Sequence, residues 1–206
     1  MRRRAGRGRY DRATIDAILD EGFVAHVGIE SDGQPYVMPV LYARCDGRIY
    51  LHGSPLSRLV RRLAEGVPMC LTVTLVDGLV LARSGFHHSL NYRSVVVLGK
   101  GWVVRDLHEK REALHAIVEH VVPGRSDDAR GPSAKELEAT EVVSIEIEEA
   151  SAKIRTGPPV DAAEDFALPV WAGVVPLGVS VGDALPDERC AVPVPGYVGG
   201  WRRGDA

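Results

Sequence analysis

Three Asp-Gly pairs, Asp32-Gly33, Asp46-Gly47 and Asp77-Gly78, punctuate the first half of this chain between runs of alternating apolar residues. Asp-Gly suits a two-residue hairpin turn, whose central positions need a positive φ. Hairpins join neighbouring antiparallel strands, so the spacing commits the chain to an antiparallel sheet. The runs between the turns agree. Phe23, Ala25, Val27 and Ile29 alternate with Val24, His26, Gly28 and Glu30, the period of a half-buried strand. Gln34 to Arg44 reads as the returning strand. Pro39 within it implies an edge, a bulge or a ligand-facing stretch. Residues 48–52, 67–76, 79–83, 92–104 and 143–147 complete the set, with a kink expected at Gly99 and Gly101. Six or seven strands with few helices favour a mainly β (α+β) barrel.

The helices carry their own signals. Asp11 caps a first helix that runs to Glu21 and stops at Gly22. A second is expected from Ser54 to Glu65, with Ser54 as N-cap, Pro55 in the first turn, and Leu56, Leu59, Val60 and Leu63 buried. Asp106 and Glu109 open a third as a capping box, with Leu107, Leu114, Ile117, Val118 and Val121 as its apolar face. A short helix is expected near Ala134 to Ala139. Residues 1–9 form a basic tail, 10–157 the folded domain, and 158–206 a proline-rich extension that packs on the barrel or on a partner subunit.

Five arginines lie within Arg2 to Arg9, read as a solvated end, and the net charge of -3 argues against a nucleic-acid binder. Cys45, Cys70 and Cys190 are widely spaced, which fits a reducing compartment. No apolar run approaches the roughly 18 residues of a membrane span, and no signal peptide follows the arginines. The expectation is a cytoplasmic protein without membrane or nucleic-acid partners. No metal motif, nucleophile elbow or Gly-rich phosphate loop is present.

Three stretches carry chemistry. In His52-Gly53-Ser54-Pro55-Leu56-Ser57-Arg58 a strand ends and a helix begins. A helix start offers unpaired N–H groups to an anion, Gly53 lets the backbone approach closely, and Ser57 and Arg58 add donors. The same arginines also suit a solvated helix face. His87-His88-Ser89-Leu90-Asn91-Tyr92-Arg93-Ser94 packs donors and a ring at a loop-to-strand junction, as a heteroaromatic ligand or an ordinary surface loop would use. Trp171 in the extension suits packing into a groove or stacking on a ligand.

Taken together, Val37-Met38-Pro39-Val40, Tyr50 to Ser54 with Ser57-Arg58, His88 to Val95, Gly99-Lys100-Gly101 and Trp171 to Val174 resemble the split-barrel flavoproteins related to pyridoxamine 5'-phosphate oxidase. The branch most similar is that of the nitroimidazole-resistance reductases. The resemblance implies a six-stranded antiparallel split β-barrel with flanking helices, working as a homodimer with FMN at the interface. It implies that the backbone of Val37, Met38, Pro39 and Val40 lies along the flavin ring. His52, Gly53, Ser54, Ser57 and Arg58 would hold the ribityl phosphate. Asn91, Tyr92, Arg93 and Ser94 would line the same site, some from the facing subunit, with Trp171 closing it. Leu59 stands where the vitamin-synthesising oxidases place a lysine, which speaks against pyridoxamine phosphate as substrate. The implied activity is electron transfer from a nicotinamide cofactor to a small electrophile such as a nitroaromatic. A flavin-storage module, or a split barrel using haem or a deazaflavin, are the alternatives.

Overall fold

The structure, a computed structural model, describes residues 5–202. Arg2, Arg3 and Arg4 of the basic tail lie outside the described residues. The rest of that tail is not simply solvated: β1 (Gly8–Arg9) pairs with Ala152 and Lys153. Then α1 (Arg12–Glu21) begins where expected, with the Asp11 carboxylate accepting from the Thr14 N–H. Strands β2 (Val24–Ser31) and β3 (Gln34–Leu41) form the first hairpin. At its turn Asp32 has φ 55° and Gly33 φ 76°, the left-handed geometry that Asp-Gly tolerates. The second hairpin joins β4 (Ala43–Cys45) and β5 (Arg48–Gly53), with Asp46 at φ 52°.

Two expectations fail next. The second helix, α2, spans only Arg58–Ala64, with Ser57 as N-cap. Ser54 instead closes a preceding turn, its carbonyl accepting from the Ser57 N–H at 2.9 Å, and Leu56 is left exposed. Asp77-Gly78 is not a hairpin. Strand β6 runs unbroken from Pro68 to Leu81, and its register against the next strand slips between Val76 and Gly78. The extra residue, Asp77, makes a β-bulge, which a flanking glycine favours as much as a turn.

After a 3₁₀ turn at Gly85–His87, β7 (Ser89–Val103) follows. It pairs with β6 along residues 89–100 and with β8 (Glu141–Glu146) at Gly101 to Val103. Between them lie α3 (Leu107–Val121), α4 (Arg125–Asp128) and α5 (Ala134–Ala139). Only Ala113 and Ile117 of α3 are buried, while Leu107 and Val118 of the expected face are exposed. Strand β9 (Glu149–Arg155) completes the β7 edge, and in the extension β10 (Gly173–Pro176) pairs with β6. A last short helix, α6, is Gly196–Gly199.

Hydrogen bonding runs in the order β3-β2-β6-β7-β8-β5-β4 without closing, a split β-barrel flanked by helices. The sheet holds ten strands among the described residues, of which β1, β4 and β10 are short additions of two to four residues. One core fills the barrel, around Leu19, Val27, Ile49, Leu63, Leu71, Val95 and Ile145. A smaller one seats α3 on β5 and β8 through Tyr50, Ala113, Ile117 and Val142. No helix among the described residues is long and apolar enough to cross a membrane.

Candidate functional site

β3 is an edge strand of the sheet, and its apolar residues Val37, Met38 and Pro39 are exposed. Val37 is 59% and Met38 38% exposed, and Pro39 is also exposed, while Val40 is partly buried. Tyr36, beside them, packs on the barrel core and carries the Arg58 guanidinium 5.2 Å from its ring centroid, within cation–π range. That contact brings the Val37–Val40 strand and the Ser54–Arg58 turn together. Among the described residues no carboxylate pairs with Arg58, whereas Arg62 is held by Glu65 and Glu30. The Ser57 side chain makes no capping bond to α2, so its hydroxyl stays available. Ser54 Oγ accepts from the Leu56 N–H at 3.2 Å. At Gly53 an added Cβ would come within 2.9 Å of Val60 Cγ2. Glycine there serves core packing.

His52 is directed elsewhere. It lines a cleft of about 390 Å³ with Leu114, Ile117, Val118 and Pro132. Its side chain is still exposed, but the cleft walls desolvate the ring and lower its pKa.

The β7 stretch divides by face. Asn91 is buried, donating to the Gly157 carbonyl and accepting from Arg155. Arg93 is locked between Asp77 and Glu21. Hydrogen bonds to Asp77 first, then to Glu21, raise its pKa. Tyr92 and Ser94 alternate with these two. Ser94 pairs across the sheet with Thr74 and Tyr92 with Val76. Register sets their distance from the turn. Tyr36 pairs with Ile29 and Ile29 with Met69, whereas Arg93 pairs with Leu75. Six residues of β6 separate the two positions, about 20 Å at roughly 3.3 Å per residue. Trp171 belongs to the far end as well. It precedes β10, which pairs with Gly78 to Leu81. Trp171 is 66% exposed, and its ring lies 2.9 Å from where a Cβ on Gly173 would sit. One chain therefore places the Arg58 turn and the Tyr92, Ser94 and Trp171 positions apart along the sheet. Tyr36 is the residue the sequence reading passed over; its place beside Val37 in the same strand was the available signal.

A continuous outward face links the two regions. Across the strands, Val37, Gly28, Cys70 and Leu98 stand in one row, Pro39, His26, Thr72 and Val96 in the next, and Val24 pairs with Leu41. Val24, Leu41, Val76, Val96 and Leu98 are all exposed.

Residues 11–154 match the family model of pyridoxamine 5'-phosphate oxidase. No curated protein matches the chain. Among solved structures, the flavocytochrome Anf3 from Azotobacter vinelandii is 43% identical, with 98% of this chain and 95% of that one covered and a TM-score of 0.92. The FAD and haem binding protein from Mycobacterium smegmatis is 37% identical, with 93% and 95% covered and a TM-score of 0.89. A candidate 5-nitroimidazole antibiotic resistance protein from Bacteroides thetaiotaomicron shares the fold at 24% identity, with 71% and 86% covered and a TM-score of 0.61.

Proposed function

Because this chain belongs to the pyridoxamine 5'-phosphate oxidase family, we propose that it is a flavin-binding redox protein that also carries haem. The carrying observation is its likeness over nearly its whole length, at 43% and 37% identity, to a flavocytochrome and to an FAD and haem binding protein.

The flavin reading rests on the β3 edge and its turn. A ribityl phosphate would meet the Ser57 hydroxyl and Arg58, the guanidinium being held ready over Tyr36. FMN and FAD both carry that phosphate. The FAD of the 37% identical relative favours the dinucleotide over the FMN expected from the sequence. The exposed apolar run Val37-Met38-Pro39 offers a platform for the ring. Bound flavin would supply electron exchange, and the chain's part is to place the ring and to shield it.

Shielding calls for a second copy. Tyr92 and Ser94 lie about 20 Å from the Tyr36–Arg58 contact along β6, and Trp171 lies further on, before the strand that pairs with Leu81. Two copies joined through the outward apolar face would set one chain's far half against the other's turn. The reading is thus a homodimer with the flavin at the interface. Burying that face also removes apolar surface from water, at roughly 25 cal/mol per Å².

Haem has a fitting candidate ligand in His52. An imidazole held neutral by desolvation, opening into a cleft lined by Leu114, Ile117, Val118 and Pro132 together with His115, Arg130 and Glu136, could hold the haem iron, which would supply one-electron exchange. The proposed activity is passage of electrons from a nicotinamide cofactor to a small electrophile. A nitroaromatic acceptor has only likeness of fold behind it. The free thiols Cys45, Cys70 and Cys190 suit a reducing cytoplasm.

The test is the visible spectrum of the purified protein with the mass of its acid-released cofactors. Flavin bands and a Soret band are expected. Protein that is colourless and takes up neither FMN nor FAD in a fluorescence titration overturns the reading. Bound flavin that no nicotinamide reduces, and that no acceptor reoxidises faster than free flavin, identifies a storage module instead.

A further inference from the structure

The turn before β7 meets the C-terminal extension at a cluster that the flavin and haem readings leave unused. One ring nitrogen of His87 and carboxylate oxygens of Asp161 and Asp165 all lie within 4.8 Å of one another. His87 Nδ1 is buried without a hydrogen-bond partner, a costly state for a polar atom. The Asp161 side chain is 1% exposed. Its oxygens accept from the Arg83 main-chain N–H and from the Arg83 guanidinium, each at 2.8 Å. Arg83 is steadied in turn by the Phe166 ring, 5.1 Å away. These bonds fix the carboxylate while each oxygen keeps a lone pair for another partner. The cluster holds two carboxylates, and Arg83 pairs with only Asp161, so it is short of positive charge.

The geometry points to a site for a divalent transition-metal ion, held by His87, Asp161 and Asp165. The donor set decides the class. One imidazole with two carboxylates suits Zn²⁺, Mn²⁺ or Fe²⁺, whereas Ca²⁺ and Mg²⁺ prefer oxygen donors throughout. Three protein ligands leave room for water. Arg83 is the positioning residue, holding the Asp161 carboxylate by the bonds already described. The consequence is mechanical. His87 belongs to the 3₁₀ turn Gly85–His87 of the barrel, and Asp165 to the 3₁₀ turn Ala163–Ala167 of the extension. An ion joining them would staple the extension to the barrel just upstream of Trp171 and β10. The sequence shows no metal motif because its ligands come from two distant segments.

The site does not depend on bound flavin or haem, and the experiment uses neither. The full chain, treated with a chelator and dialysed, is titrated with Zn²⁺ by isothermal calorimetry. One equivalent is expected with a Kd of about micromolar or tighter, together with a rise in Tm as Zn²⁺ increases. His87→Ala and Asp165→Asn, each checked by circular dichroism, should weaken binding at least about tenfold. His108→Ala, at an exposed position on α3 outside the cluster, should leave it unchanged. Co²⁺ bound in place of Zn²⁺ should give visible absorption that His87→Ala removes. Zn²⁺ binding weaker than about millimolar, or equal in the wild type and His87→Ala, overturns the site.

Discussion

Arg93 grips Asp77 in a two-pronged ion pair, Nη2 to Oδ1 at 2.8 Å and Nε to Oδ2 at 3.0 Å, across the β6–β7 ladder. The carboxylate reaches it from the bulge in β6, and Glu21 at the end of α1 closes the other side of the guanidinium. The network ties a helix end to the sheet, so its main yield is stability. Arg93→Ala should destabilise the protein by about 1–3 kcal/mol, the usual cost of stranding partly buried charged partners. Urea unfolding measures this. Flavin affinity in the same variant should change less than in Arg58→Ala; a larger loss would move Arg93 into the binding site.

Arg58 is the complementary case. Its described contact is with the Tyr36 ring rather than a carboxylate, so removing it should leave stability nearly unaltered. Arg58→Ala should weaken flavin binding by about 1.5–3 kcal/mol, the range for a hydrogen bond to a charged group. A quenching titration reads both FMN and FAD. Unchanged affinity would place the phosphate elsewhere.

The outward face gives a test in which assembly and cofactor move together. Val96→Asp sets a charge at the β7 end of the row formed with Pro39, His26 and Thr72. Sedimentation should show the proposed dimer in the wild type and monomer in the variant, because an uncompensated charge in a buried interface is strongly unfavourable. Flavin should dissociate at the same protein concentration. A monomeric variant that retains its flavin at wild-type affinity would show that one chain suffices.

His52 makes stability depend on pH. Desolvation by the cleft lowers its folded pKa below the ordinary 6.5. As pH falls, the unfolded chain takes up the proton first, so protonation favours unfolding. The contribution of His52 is whole above 6.5 and drains away as pH drops towards the folded value. In protein freed of haem, thermal melts of His52→Gln should lose part of the decline seen in the wild type between about pH 7 and pH 5. Parallel curves would show that the ring is not desolvated in solution.

Much of the barrel was legible in the sequence, and the misreadings are instructive. Asp32-Gly33 and Asp46-Gly47 turn as their chemistry requires, and Asp11 caps α1 as expected. Asp77-Gly78 carries the same signal, yet there β6 and β7 are already paired, and tertiary pairing makes a bulge of it. Strand β9, Glu-Ala-Ser-Ala-Lys-Ile-Arg, went unseen because it buries a small residue, Ala152, where the pattern needs a large one. At α2, Ser54-Pro55 looks like a helix start, but the turn it makes delays the helix to Arg58. Within the candidate site, the turn and the β3 edge could be read from residue types. The separation of Tyr92 and Trp171 from Arg58 could not, since it follows from strand register.

The strand β7 is paired on both edges, with β6 up to Lys100 on one and, on the other, with β9 up to Leu98 and then with β8 from Gly101. A Cβ at Gly101 would strike Val143 Cγ1 at 2.6 Å and Leu63 Cβ at 3.1 Å, so the core packs against the β7 backbone there with no room for a side chain. That seam denies the two halves of the barrel any independent life. Loosening either pulls on a strand belonging to both, so the molecule should melt in one all-or-none transition, its amides along β7 the last to exchange with solvent.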